Sequence, residues 1–183
     1  MTKQVLFIHS AGNQGLHEGS TGLAAYLKDA LGEEYHFLSP DMPEPEDPAY
    51  SRWKEKLEKD FSGLDSEVIL IGHSLGGSVL LKYLSEKTVV PSITGLFIVS
   101  SPYWGKETGW VSEDFTLSGN FASKLPPINR IFLYYSRGDE IVPSSHLNLY
   151  KQKLPSAEPR LINSDEHLFL NGLPELVEEI KKL

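Results

Sequence analysis

Apolar residues fall along this chain in two alternating patterns. Short, mostly apolar runs occupy residues 5–8, 35–38, 68–71, 96–99, 131–135 and 160–162. Bounded by Gly, Pro, Ser and Asn, such runs read as strands rather than helices. Between them the apolar positions recur at helical spacing: Leu23, Leu27, Ala30 and Leu31 before Gly32; Trp53, Leu57 and Phe61 before Gly63; then residues 75–86, 144–154, and Leu176, Val177, Ile180 and Leu183 after Pro174. Strands that are apolar throughout, alternating with helices, predict an α/β fold. It should be a three-layer α/β/α sandwich whose mainly parallel sheet is covered on both faces.

Two stretches break the pattern. Residues 39–48 hold four prolines, which forbid regular structure and predict a stiff, extended connection. Residues 103–127 interleave Trp104, Trp110, Phe115 and Phe121 with Gly, Ser and acids. A long aperiodic segment in a small domain is either a cap beside a functional site or a surface loop whose aromatics plug the core.

Length and composition narrow the classes. The 183 residues suit a single domain spanning 1–183, and 40% hydrophobic with 23% charged residues is ordinary for a soluble protein. A net charge of −8 argues against a nucleic-acid partner, since phosphate binding needs a basic face. No cysteine is present, so disulfides and thiolate chemistry are excluded. The first apolar run is too short for a signal-peptide core and no run is long enough to span a bilayer, so no membrane association and a cytoplasmic location are the default expectations. No metal, cofactor or protein partner is indicated.

The chemistry concentrates at residues 68–81. Four apolar residues run into Gly72-His73-Ser74-Leu75-Gly76, and a helical pattern follows at once. That is the context of a nucleophile elbow, with Ser74 at the apex of a tight strand-to-helix turn. In parallel sheets, functional side chains gather at the carboxyl ends of strands. Asp139 follows the strand ending at Tyr135, and His167 follows the one ending at Ile162, so the order Ser, Asp, His is the one expected of an elbow hydrolase. A serine hydroxyl needs a base to take its proton, histidine can do so near neutral pH, and a carboxylate orients the imidazole.

Rivals exist for each role. Glu140 adjoins Asp139, and Asp139 could serve merely as a turn residue. Of the six histidines, His9 and His73 flank the same site, with His73 expected to point away from Ser74 and pack. His17, His36 and His146 read as loop or surface residues. For an oxyanion hole, Leu75 N–H is the first donor and Ala11 N–H the second, with Ser10 as the competing register. Ser10, Trp104, Trp110 and Phe115 are the expected substrate contacts.

These residues resemble a known family. Gly72-His73-Ser74-Leu75-Gly76-Gly77, Gly138-Asp139-Glu140-Ile141-Val142-Pro143 and His167-Leu168-Phe169 resemble the α/β-hydrolase superfamily. Asp41-Met42-Pro43-Glu44-Pro45 followed by Trp53 is similar to its compact serine hydrolases, the YdeN-type and retinoblastoma-binding-type group. The resemblance implies a sheet of roughly six strands without a large lid, and a Ser74, Asp139, His167 triad. It also implies esterase-like activity. Two departures stand out: His9-Ser10 replaces the usual His-Gly, and Asp165-Glu166 precedes His167. Those carboxylates could raise the imidazole pKa or simply face solvent. The resulting expectation is a carboxylesterase-like serine hydrolase acting on a small ester or acyl substrate. A non-catalytic binding protein on the same fold and a thioesterase or peptidase using the same triad are the alternatives.

Overall fold

Six runs of apolar residues pair into a single parallel sheet. The computed structural model describes residues 2–64, 67–87 and 91–183. Strands β1 (Lys3–Ile8), β2 (Tyr35–Leu38), β3 (Glu67–His73), β4 (Ser92–Val99), β5 (Ile131–Ser136) and β6 (Glu158–Ile162) lie in the order β2-β1-β3-β4-β5-β6, every neighbouring pair parallel.

The two faces of each strand feed separate cores. Val5, Phe7, Ile69, Ile71, Phe97, Val99, Phe132 and Tyr134 pack with helices α1 (Thr21–Leu31) and α6 (Pro174–Lys181). Leu6, Ile8, Val68, Leu70, Leu96, Ile98, Leu133 and Tyr135 pack with α2 (Tyr50–Ser62), α3 (Leu75–Glu86), the short α4 (Phe121–Lys124) and α5 (Ser145–Lys153). Side chains alternate between faces along a strand, so a sheet covered on both sides demands apolar residues at every position. The continuous runs in the sequence are the direct consequence. The three-layer, six-stranded parallel architecture is therefore as expected.

Every strand except β2 extends past its expected apolar run, and at β4 and β6 the extension has a local cause. β4 begins at Ser92 rather than Leu96, because the register against β3 skips Thr94. That irregularity, together with Gly95, breaks the apolar run on which the expectation rested. β6 begins at Glu158 and includes Pro159. It lies at the edge of the sheet, where a missing N–H and exposed polar side chains are tolerated.

The proline-rich connection is extended, as its composition predicts, and it is tied to the loop after β1. Gly12 N–H donates to the Pro45 carbonyl at 2.7 Å, Met42 N–H to Gln14 Oε1 at 2.8 Å, and the Trp53 indole N–H to the Pro43 carbonyl at 3.0 Å. Residues 103–127 send aromatic side chains into the core, as one of the two expectations had it. Phe121 and Phe115 are buried in the core, while Trp104 and Trp110 pack at its edge. No helix among the described residues is long and apolar enough to cross a membrane.

Candidate active site

β3 ends and α3 begins with no intervening loop, and Ser74 occupies the joint. Its backbone sits at φ 52°, ψ −123°, a conformation that side-chain-bearing residues rarely adopt. The surroundings hold it there: Ser74 N–H donates to the Val99 carbonyl at 2.8 Å, and Ser101 Oγ donates to the Ser74 carbonyl at 2.7 Å. Glycines make the crossing possible. A Cβ on Gly76 would run into the carbonyl oxygens of Ile8 and His9, and one on Gly72 into the backbone of Gly77.

Asp139 and His167 arrive from β5 and β6 and meet Ser74. Ser74 Oγ lies 3.1 Å from His167 Nε2, and His167 Nδ1 lies 2.7 Å from Asp139 Oδ2. The other carboxylate oxygen accepts the Ile141 and Val142 N–H groups, each at 2.9 Å. Burial opposes charge on Asp139, yet the bond from His167 and those two amides prevail and hold its carboxyl below the ordinary value. A carboxylate at Nδ1 places the imidazole proton there and leaves Nε2 as an acceptor facing the serine hydroxyl. Glu140 is exposed.

The loop that carries His167 is pinned from two strands. Arg137 N–H bonds the Ile162 carbonyl, Gly138 N–H the Ser164 carbonyl, and Ser136 Oγ the Glu166 carbonyl at 2.6 Å, all from the end of β5 and the residues after it. From β3, His73 Nε2 lies 2.8 Å from the His167 carbonyl oxygen. His73 is buried, as its expected packing role requires, but it bonds the loop as well as packing. Asp165 is exposed, and the Glu166 carboxylate accepts from Asn171 Nδ2 at 2.6 Å, so both carboxylates face outward.

Ser20 organises the loop after β1, and sequence reasoning missed it. His9 Nδ1 lies 2.9 Å from Ser20 Oγ, and the same Oγ accepts Ser10 N–H at 3.0 Å. Ser10 N–H is thus occupied. Ala11 N–H has no acceptor among the described residues, and Leu75 N–H, first in α3, has none within its helix. No local pattern marks Ser20, because its partners His9 and Ser10 lie 11 and 10 residues away.

These groups open onto a cleft of about 320 Å³. Ser10, Ala11, Ser74, Leu75, Trp104, Trp110, Phe115 and His167 all line it, so every expected contact residue is present. Pro48, Pro102, Ile141 and Leu168 complete the wall without having been anticipated. The Trp104 ring lies 5.3 Å from that of Trp110 and 5.2 Å from that of Phe115, and its indole N–H donates to Ser78 Oγ at 3.1 Å.

Among the other histidines, His17 and His36 are exposed, as expected. His146 is not a surface residue: it is 2% exposed, accepts Tyr103 N–H at 2.8 Å on Nδ1, and meets the edge of Trp110. The first turn of α5 folds under residues 103–110, a contact between distant segments that local pattern cannot register. No cluster of three or more His, Asp or Glu side chains among the described residues is disposed to hold a metal ion.

Comparison with known proteins agrees with this geometry. The alpha/beta hydrolase family profile matches residues 5–177. YdeN of Bacillus subtilis (strain 168), which carries the name of a hydrolase, is 28% identical over 163 aligned residues, covering 86% of this chain and 82% of YdeN. The YdeN crystal structure superposes with a TM-score of 0.84 and 22% identity, covering 99% of this chain and 98% of that one. CarC, a serine hydrolase involved in carbazole degradation, superposes with a TM-score of 0.75 at 14% identity, covering 98% and 90%. With the elbow, the sheet order and the family match together, the chain belongs to the alpha/beta hydrolase family.

Proposed function

We propose that the protein is a serine hydrolase that cleaves a small carboxylic ester, or a related acyl substrate, through an acyl-enzyme intermediate. The observation that carries this reading is the continuous relay from Asp139 Oδ2 through the His167 ring to Ser74 Oγ, with spacings of 2.7 and 3.1 Å, at the floor of an apolar cleft.

In this reading Ser74 Oγ attacks the substrate carbonyl as its proton passes to His167 Nε2. The tetrahedral oxyanion forms against Leu75 N–H and Ala11 N–H, amides without an acceptor among the described residues. His167 then gives its proton to the leaving alcohol and the acyl group stays on Ser74. Water, deprotonated by the same nitrogen, attacks the acyl carbon; carboxylic acid leaves and Ser74 regains its proton. Asp139 fixes the tautomer and stabilises the imidazolium throughout. Trp104, Trp110 and Phe115 offer an apolar wall for the acyl chain.

The test is a fluorophosphonate probe with the adduct located by mass spectrometry. Rapid labelling at Ser74, lost in Ser74→Ala and in His167→Ala, is expected. A folded wild-type protein that does not label would sink the reading and favour a ligand-binding role on the same fold.

A further inference from the structure

His73 closes β3, immediately before Ser74, and its side chain is completely buried. It faces the segment carrying His167: its Nε2 lies 2.8 Å from the His167 carbonyl oxygen, and the two rings are 5.1 Å apart. A carbonyl only accepts, so the hydrogen sits on Nε2. The other nitrogen, Nδ1, is buried and has no partner among the described residues.

A core-filling role explains these facts poorly. Leucine would occupy similar space without leaving a buried acceptor unpaired, which costs free energy. The connectivity points to a different role. The His167 segment is tied to β5 and the residues just after it by backbone bonds at Ile162 and Ser164 and by Ser136 on the Glu166 carbonyl. Among the described residues, the His73 bond is, apart from the contact between Ser74 and His167 themselves, the hydrogen bond that ties this segment to β3, the strand that delivers Ser74. Two residues after His167 the backbone turns through positive φ at Phe169, whose ring packs edge-on against His73.

We infer that His73 is a positioning residue: its Nε2–H, by holding the His167 carbonyl, sets the reach from the His167 ring to Ser74. The inference rests on the proposed roles of Ser74 and His167. Burial and the adjacent His167 also push the His73 ring down to about 3, so it stays neutral. A neutral ring keeps its Nε2–H bond intact and places no second positive charge beside His167 when that residue carries the proton.

Two amide isosteres separate this role from packing. In His73→Gln the amide N–H reaches the position of Nε2; in His73→Asn it sits at Nδ1, where no acceptor waits. Both bury a polar amide, and thermal unfolding reports any loss of fold. We expect His73→Gln to react with the fluorophosphonate probe within about threefold of the wild-type rate, and His73→Asn at least about tenfold more slowly. On p-nitrophenyl acetate the loss in His73→Asn should fall on kcat, with KM little changed. Equal rates for the two folded variants, or a loss confined to KM, would overturn the inference while leaving the hydrolase reading intact. A wild-type protein that never labels would remove both. Ring nitrogen NMR of the wild-type protein gives a reading that needs no variant. A His73 proton on Nε2, slow to exchange, agrees with the inference, and one on Nδ1 refutes it.

Discussion

Ser20 Oγ accepts the Ser10 backbone N–H at 3.0 Å, across ten residues of loop. That single bond decides which amide of the loop after β1 is free to meet an oxyanion. It occupies Ser10 and leaves Ala11. The Gly12 bond to the Pro45 carbonyl fixes the far side of Ala11, so the amide is held from both flanks.

Replacing Ser20 with alanine should therefore release Ser10 N–H and loosen Ala11. With the proposed oxyanion role, kcat/KM on p-nitrophenyl acetate is expected to fall by about tenfold to a hundredfold, with KM little changed. Unfolding in urea should show a loss of about 1 kcal/mol for the buried hydrogen bonds. Undiminished turnover in a folded Ser20→Ala protein would remove the assignment of Ala11.

The strained backbone at Ser74 predicts a trade between stability and chemistry. Glycine adopts φ 52° without steric cost, whereas strain of this kind costs about 1–3 kcal/mol. Ser74→Gly should lose all fluorophosphonate labelling and yet unfold at a higher urea concentration, by roughly 1 kcal/mol after the greater backbone entropy of glycine is deducted. A glycine variant less stable than the parent would show that the elbow is not strained.

Acid should destabilise the fold well above the carboxylate range. Burial lowers His9, His73 and His146, and His73 falls from 6.5 to about 3. Between those two pH values the unfolded chain binds a proton at His73 that the native chain refuses. Stability is therefore full above pH 6.5 and declines as pH falls, by about 1.4 kcal/mol per pH unit for each proton withheld. Asp139, held below its ordinary value, adds a further loss once pH falls through the carboxylate range. Urea midpoints measured from pH 8 to pH 4 should fall steadily below 6.5, and His73→Gln should flatten the slope by one proton. A constant midpoint from pH 7 to pH 5 would contradict this.

Trp110 forms part of the wall of the cleft that Ser74 also lines and packs edge-on with Trp104. Trp110→Ala should enlarge the cleft and raise the ratio of kcat/KM for p-nitrophenyl octanoate over acetate by about tenfold, since each accommodated methylene contributes modestly. An unchanged ratio would place the acyl chain elsewhere.

The local signals were legible because they obey local physics. A parallel sheet buried on both faces requires uninterrupted apolar runs, so six strands and their helices could be read from periodicity. The elbow was legible for a similar reason: only glycines tolerate the contact of Gly76 with the carbonyls of Ile8 and His9, and those glycines sit within two residues of Ser74. Asp139 and His167 could be placed because parallel strands deliver their following loops to one edge. The tertiary structure decided everything that depends on residues distant in the chain. It alone buried His146 beneath Trp110, tied Ser10 to Ser20, turned Glu166 toward Asn171, and set His73 against the carbonyl of His167, 94 residues away. Hydropathy records whether a side chain prefers water, but a hydrogen bond is a relation between two groups, and its partner is chosen only when the chain has folded.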